Sequence, residues 1–583
     1  MKVYQKIYNK FCHKKIKDVF LYSGGAIMSL IDSFHYKNNT HKINTYIATN
    51  ESHLTSMAVG YSKIKNFIEP KNNHTGVVIT TSGPGLTNCV SNILDANCDS
   101  TPLLVISGQV PLKAMGKNSF QEAPSVDITK KITKFNYLLE KPNETDYIFE
   151  KAFYHLHQDK KGAVHIDIPK CVLNNDITFE TQNIFFNVNK CLLNTYLCKK
   201  VIDIINQSER PIFYIGKGAS DCKKILKKIV DKTNIPVTTT LLGLGIFNER
   251  HYCSLKMLGM HGSYMANMSI QNADTIICVG ARFDDRCTGD VKSFAPKAKN
   301  IIHINIEPTE FGKVLPNTIN VLGDCKEVLE YIEPGLKHVS MCERNDWLEK
   351  IYTWRMNYPF NYNRKNFVSQ KIIECINECL KQDEEYIFVT GVGNHQMYVA
   401  QYITFNENRY HITSGSLGNM ECGLPYAIGC KIAEPNKKVI CIIGDGCFNM
   451  SYTELTTIQR YNLDIKIFVL NNSSLDMVRC WENIFYNNNI TATQLDNCNY
   501  NMLANAHNIE NSKIDSSMSI NKIKQRIQSI LNSKESHLCN VIVETDYCLP
   551  LVKPGKALDE MMIYTDSHRV MDIKGFDKQD SPN

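Results

Sequence analysis

The stretch "IIGDGCFNMS", residues 442–451, ends an apolar run on an acidic residue set between two glycines. A second apolar run, "IKIFVL", stops at Asn471 and Asn472, and 24 residues separate Gly446 from Asn471, about the length of a helix and a returning strand. If the two runs are neighbouring parallel strands, Asp445 and Asn472 lie about 5 Å apart at their carboxyl ends. A carboxylate and an amide oxygen so placed suit a hard cation such as Mg²⁺, which takes few protein ligands and fills its octahedron with water and phosphate oxygens. Gly444 and Gly446 let a diphosphate approach the backbone and the following helix N-terminus. Taken singly, an Asp-capped turn and an Asn-Asn turn explain each half equally well. Their pairing at this spacing favours a metal–diphosphate site.

Such a site needs a sheet to carry it, and the chain supplies strand patterns three times. Residues 1–172 contain "DVFLYSGG", "TGVVITTSGPG", "PLLVISGQ" and "AVHIDIP". Residues 195–335 contain "RPIFYIGKGAS", "TIICVGARFDD" and "NIIHINIEP", and residues 365–550 contain "YIFVTGVGNHQ", "VICIIGDG", "IKIFVLNN" and "NVIVET". Apolar strands alternating with helical stretches predict an α/β fold of three doubly wound parallel-sheet domains. Polar or proline-marked segments near 173–195 and 336–364 read as linkers, and 551–583 as a C-terminal tail. Ligands of such sheets bind beyond the strands' carboxyl ends, so that is where candidate residues are sought.

Composition narrows the classes. With 583 residues, 43% apolar and 21% charged, the chain suits a multidomain globular protein. Its net charge of +6 is spread thinly, without a basic block interleaved with aromatics, which argues against nucleic-acid binding. The 22 cysteines form no C-x-x-C pair and sit mostly inside apolar runs, where Cys acts as a small hydrophobe of a reducing compartment. No 18-residue apolar segment and no signal-like core is found, so a soluble cytoplasmic protein with no membrane association is expected.

"GDGCFNMS", the 24-residue spacing and "NN" match the thiamine-diphosphate motif, and the rest resembles the acetolactate synthase catalytic subunit family. The resemblance runs in order through "GGAIMSLID", "NESHLTSMAVGYSK", "TTSGPGLTN", "FQEA", "HIDIPK", "LGMHGSYMAN", "VGARFDDRCTG", "GVGNHQM", "SGSLGNMECGLPYAIG" and "MVRCWENIFY". It implies a pyrimidine-binding first domain, a flavin- or dinucleotide-type central domain and a diphosphate-binding third domain. It also implies that thiamine diphosphate lies between the first domain of one subunit and the third of another. A homodimer or homotetramer follows, and the family admits a small regulatory subunit.

The resemblance further implies that Asp445, Asn472 and the carbonyl of Ser474 hold Mg²⁺. Val392, Gly393, Asn394, His395, Gly418, Met420, Gly444 and Gly446 would contact the thiamine cofactor. Glu51 would face its pyrimidine ring, where burial that raises a carboxyl pKa helps a proton to be shared near neutrality. Gly25, with Ala26, would form a close-approach loop at the reacting carbon, and Phe120, Gln121 and Lys170 the substrate channel. Met477 and Trp481 share one helix face after the metal-binding turn and would shape the acceptor pocket. In the central domain Arg282, Asp284, Asp324, Gly259 and His261 would hold FAD.

The activity implied is decarboxylation of pyruvate on thiamine diphosphate, then transfer of the hydroxyethyl unit to pyruvate or 2-ketobutyrate, at the entry to branched-chain amino-acid synthesis. Residues Ser23, Asn394, Ser416, Glu421 and Asp476 depart from the family pattern. Two alternatives stay open on the sequence. One is a flavin-free thiamine-diphosphate decarboxylase or fermentative synthase; the other is a degenerate homologue acting as scaffold or regulatory partner.

Overall fold

The computed structural model describes residues 1–35, 42–178, 186, 192–564 and 570–573. Three six-stranded sheets follow one another. The first contains β1 (Asp18–Leu21), β2 (Asn44–Tyr46), β3 (Gly76–Thr80), β4 (Leu103–Gln109), β5 (Phe135–Leu138) and β6 (Ala163–Pro169), in the order β2-β1-β3-β4-β6-β5. The central sheet contains β7 (Pro211–Ile215), β8 (Val237–Thr239), β9 (Ser254–Met257), β10 (Thr275–Val279), β11 (Asn300–Asn305) and β12 (Ile319–Leu322), in the order β12-β11-β10-β7-β8-β9. The third contains β13 (Tyr386–Thr390), β14 (Arg409–Ile412), β15 (Lys438–Gly444), β16 (Ile465–Asn471), β17 (Glu510–Ile514) and β18 (His537–Ile542), in the order β14-β13-β15-β16-β18-β17. Neighbouring strands in all three run parallel. The α/β doubly wound class expected from the strand rhythm is the class found.

The first and third sheets share one strand order, whereas the central sheet has the order of dinucleotide-binding folds. Strands such as "GVVIT" and "IKIFVLN" are buried along their whole length, as parallel sheets covered on both faces require. Successive residues go to opposite sides: Phe20, Val78 and Val105 join one core, and Val19, Val77 and Leu104 another. The first of these cores continues through Phe213 and Ile277 of the central sheet to Ile387, Val439 and Ile467 of the third. The three domains therefore share an apolar interior.

Six helices matter for the site: α1 (Glu51–Ile68), α2 (Val90–Cys98), α3 (Asn345–Asn357), α4 (Gly423–Ala433), α5 (Asp445–Ser451) and α6 (Asp476–Phe485). Helices α1 and α4 cross with their backbones touching. A Cβ on Gly429 would lie 1.9 Å from the Met57 carbonyl oxygen, and one on Gly60 2.6 Å from that of Tyr426. Glycine at both positions lets the first and third domains of one chain dock.

Two segments read as connections are more structured than polarity suggested. Within 336–364, α3 buries Trp347 and Trp354 against the central domain. Two indoles a helical repeat apart outweigh the polar residues around them. The tail begins with β19 (Leu551–Val552), β20 (Met561–Tyr564) and β21 (Val570–Ile573), an antiparallel sheet. Val552, Leu558 and Met561 close the central core. Most of 173–195, and residues 565–569 and 574–583 of the tail, lie outside the described residues. Among the described residues no helix is long and apolar enough to cross a membrane.

Candidate active site

In the third sheet the chain turns opposite ways after β13 and β15, which leaves a crevice beyond their carboxyl ends. Val392, Gly393, Asn394 and His395 follow β13, Asp445 follows β15, and Asn472 and Ser474 follow β16. Gly444 pairs with Leu470, so Asp445 stands level with Asn471 and Asn472 comes one residue further. Asp445 is 2% exposed. Its Oδ1 accepts the Gly446 amide at 2.9 Å and its Oδ2 the Asn497 side chain at 2.8 Å. Burial pushes its carboxyl pKa up, opposed by the Asn497 amide and the backbone amides of Gly446, Ser473 and Ser474. The backbone of Ser473 and Ser474, in the loop after β16, therefore lies against Asp445.

Three buried polar atoms in this crevice have no partner: Asn394 Oδ1, His395 Nε2 and Ser474 Oγ. Each orphaned group costs about 1–3 kcal/mol unless something polar meets it. A diphosphate with its cation fits that demand. His395 lies against the same glycine turns, since a Cβ on Gly444 would meet its Nδ1 at 2.9 Å. Burial lowers its pKa to about 3, so the ring is neutral. The Met420 terminal methyl lies 3.6 Å from where a Gly446 Cβ would stand, and Gly418 takes φ +76° in the preceding loop. Asp476 opens α6 and accepts the Asn394 amide at 3.0 Å. Burial, with Asp546 and Asp445 nearby, pushes its carboxyl pKa up to about 7.

The corresponding crevice of the first sheet, between β1 and β3, is built differently. Glu51 opens α1, capped by Asn50, and is 9% exposed; its Oε2 accepts the Asn88 amide at 2.9 Å. Gly25, beyond β1, faces open space, and Lys170, directly after β6, is exposed. Phe120 is 88% exposed. Gln121 beside it holds φ +60°. Beneath this open face runs a buried chain of hydrogen bonds. Ser107 bridges His165 (2.7 Å) and Asp167 (2.5 Å), and Gln109 links Asp167 (2.9 Å) to the Ala123 carbonyl (2.9 Å). Burial pushes the Asp167 carboxyl up to about 6.

The central sheet opens on a cavity of about 1480 Å³ beyond β7 and β10. Its two glycine turns touch: a Cβ on Gly216 would lie 2.4 Å from the Gly280 carbonyl oxygen. Arg282, Asp284, Asp324 and His261 line the cavity, and so do Met477 and Trp481 of the third domain. Asp284 and Asp324 also cap short helices, accepting the amides of Arg286 and Cys287 and of Lys326 and Glu327. His261 is fixed by the carbonyls of Cys548 and Pro550, at 3.0 and 3.1 Å. Gly259 presses on the Arg286 carbonyl, so its lack of a side chain serves packing. None of Gly25, Glu51, Phe120, Gln121 or Lys170 lines this cavity.

Several supporting residues were not legible in advance. Asn497, which also donates to Asn471 Oδ1 at 2.9 Å, sits in an asparagine-rich stretch that reads as surface drift. Lys63 of α1 is buried with Asp99 at 2.6 Å and the Thr413 carbonyl at 2.7 Å, beside a loop of the third domain. Among the described residues no three His, Cys, Asp or Glu side chains cluster to hold a metal. The crevice holds two carboxylates instead, Asp445 and Asp476, bonded by the Asn497 and Asn394 amides.

Family models match in the order of the three sheets. Residues 1–130 match the thiamine pyrophosphate enzyme N-terminal binding domain, 198–332 its central domain and 391–541 its C-terminal binding domain. The chain is 35% identical to the mitochondrial acetolactate synthase catalytic subunit of Saccharomyces cerevisiae, over 96% of this chain and 83% of that protein. It is 37% identical to the acetolactate synthase large subunit of Lactococcus lactis, over 96% of each. Identity to chloroplastic acetolactate synthase 1 of Zea mays is 34%, over 95% of this chain and 88% of that protein. The chain belongs to the acetolactate synthase family of thiamine-diphosphate-dependent transferases.

Proposed function

We propose that the chain decarboxylates pyruvate and joins the two-carbon unit to pyruvate or 2-ketobutyrate, using thiamine diphosphate, Mg²⁺ and FAD. The observation that carries this reading is the buried crevice beyond β13 and β15, which holds the Asp445 carboxylate and leaves atoms of Asn394, His395 and Ser474 without a partner. Thiamine diphosphate, when bound, supplies a nucleophilic carbon and an electron sink for the keto acid.

The chain's residues hold and shield that group. Asp445, Asn472 and the Ser474 carbonyl would bind Mg²⁺ as hard oxygen ligands. Asn394, His395 and the turns at Gly393, Gly444 and Gly446 would receive the diphosphate, and Met420 would prop the cofactor's bend. Glu51, held by Asn88, would keep and exchange a proton with the pyrimidine ring nitrogen. Gly25, Phe120, Gln121 and Lys170 would receive the keto acid, with the Lys170 ammonium balancing its carboxylate.

Gly25, Phe120 and Lys170 are exposed in the single chain, so we infer that a second copy covers them by bringing its third domain to the first domain of this one. A homodimer is then the minimum active unit. The central cavity, with dinucleotide strand order and Arg282 in its wall, would take FAD, which argues against a flavin-free decarboxylase. Several relatives are named as catalytic or large subunits, which supports a small regulatory partner for this chain as well. We assign it to the cytoplasm, although the Saccharomyces relative is named mitochondrial and the Zea relative chloroplastic.

The test is to incubate the purified chain with pyruvate, thiamine diphosphate and Mg²⁺, with and without FAD, and to quantify acetolactate. Acetolactate formation supports the reading; acetaldehyde as the sole product, or no turnover, overturns it.

A further inference from the structure

The loop from Ser414 to Met420 has two faces. Ser414, Gly415, Ser416, Leu417 and Gly418 form part of the wall of the central cavity. Further along the same loop, Met420 packs near Gly446 in the thiamine crevice. The loop is therefore a partition between two sites.

Asp99, Asp95 and Arg282 hold it from outside, alongside Gln396, which donates to the Ser414 carbonyl at 2.9 Å, and Asn92, which accepts the Asn419 side-chain amide at 2.9 Å. Asp99 of the first domain accepts the backbone amides of Gly415 (2.9 Å) and Ser416 (3.0 Å). Asp95, one turn earlier on α2, accepts Ser414 Oγ at 2.5 Å, and Ser414 Oγ accepts the Gly418 and Asn419 amides at 3.0 Å. Lys63 and Lys217 balance the Asp99 charge: Lys63 bonds its carboxylate at 2.6 Å, and Lys217 reaches its carbonyl at 2.6 Å. The carboxylates of Asp95 and Asp99 are buried, although Asp99 and Lys217 also lie in the cavity wall. The third hold differs. Arg282 Nη2 donates to Ser416 Oγ at 2.6 Å, and both residues face the cavity.

We propose that the Arg282–Ser416 hydrogen bond couples occupancy of the central cavity to the affinity of the thiamine crevice. The inference rests on the cofactor assignments proposed above. An occupant that displaces water from around Arg282 strengthens its bond to Ser416, because a lower local dielectric strengthens a charged hydrogen bond. The loop is then fixed on both sides before the second ligand arrives, and that ligand no longer bears the ordering cost. The direction of the coupling is positive.

The experiment measures the thiamine diphosphate Kd by calorimetry in Mg²⁺, with and without saturating FAD, for wild type, Ser416→Ala and Ser416→Thr. Alanine keeps the backbone amide that Asp99 holds and removes only the hydroxyl; threonine restores it. FAD should tighten thiamine diphosphate binding at least about fivefold in wild type and Ser416→Thr, and less than about twofold in Ser416→Ala. Thiamine diphosphate should tighten FAD binding by the same factor, because coupling free energies are reciprocal. Equal affinity with and without FAD in wild type overturns the proposal, as does full coupling in Ser416→Ala. If acetolactate still forms in those cases, the functional reading stands without the latch. Failure of wild type to bind thiamine diphosphate at all overturns both.

Discussion

The first and third sheets share one strand order, yet the ends of their strands have opposite characters. Beyond β13 and β15 the polar groups are buried, held by neighbours such as Asn497, and three of their atoms, on Asn394, His395 and Ser474, have no partner. Beyond β1, β4 and β6 the candidate residues Gly25, Phe120 and Lys170 are exposed, and only the layer beneath them is locked. One topology has thus been finished in two ways. The third domain buries its polar strand-end residues, and the first leaves Gly25, Phe120 and Lys170 exposed above a hydrogen-bonded layer. On the function proposed above, that burial pattern separates a half that holds the cofactor from a half that a second copy completes.

The contrast can be broken most severely at its buried pole. Asp445→Ala removes the one carboxylate of the proposed cation site and should abolish acetolactate formation. Thiamine diphosphate affinity in Mg²⁺ should fall on the order of a hundredfold or more, the expected scale for losing a buried charge partner. A calorimetric titration indistinguishable from wild type would remove Asp445 from the site.

At the other pole, Glu51→Gln keeps the shape and the bond to Asn88 but cannot exchange a proton. Its kcat should drop about 10²–10⁴-fold while cofactor affinity stays nearly unchanged. The rate of hydrogen–deuterium exchange at the thiazolium carbon gives the direct readout, and an unchanged rate refutes the assignment.

Trp481 sharpens the comparison at the acceptor. It lines the central cavity with Met477 and packs on Phe485, with ring centroids 5.4 Å apart. Trp481→Leu should cut the preference for 2-ketobutyrate over pyruvate about tenfold, the value of one fitted methylene, while acetolactate formation persists. Both products are quantified in competition at fixed pyruvate, and an unaltered ratio makes Trp481 a packing residue only.

The smallest effect concerns the floor beneath the open face. The folded Asp167 pKa, about 6, is raised above the ordinary carboxylate value, and burial is the cause. Its contribution to stability is therefore full below the ordinary value and is lost as pH rises through about 6. Between pH 4 and 7 wild type should lose about 2 kcal/mol that Asp167→Asn does not lose. Urea unfolding of both proteins at the two pH values measures this, and parallel pH dependences contradict it.

Much of the fold was legible because fully buried parallel strands write long apolar runs, and glycine marks their ends. The Asp445–Asn472 spacing was readable for the same reason: strand register converts a residue count into a distance. What escaped reading has no periodic signature. Asn497 reaches Asp445 from 52 residues away, out of a low-complexity asparagine stretch. Lys63, Asp95 and Asp99 carry no sequence signal that sets them apart from solvated helix charges, yet burial between domains turns them into a clamp on the Ser414–Met420 loop. Asp284 and Asp324 were assigned to FAD through the family resemblance and their strand-end positions, and their helix-capping role depends on loop geometry that composition does not encode.

The sharing of one site between two chains is tested most directly by mixing. Asp445→Ala and Glu51→Gln chains, each inactive alone, are unfolded together, refolded and assayed for acetolactate. If the first domain of one chain completes the third domain of another, hybrids contain one intact pair, and random assortment should restore roughly a quarter of wild-type activity. If the mixture stays as inactive as its parents while refolded wild type recovers, the open face and the polar cradle do not meet across a dimer.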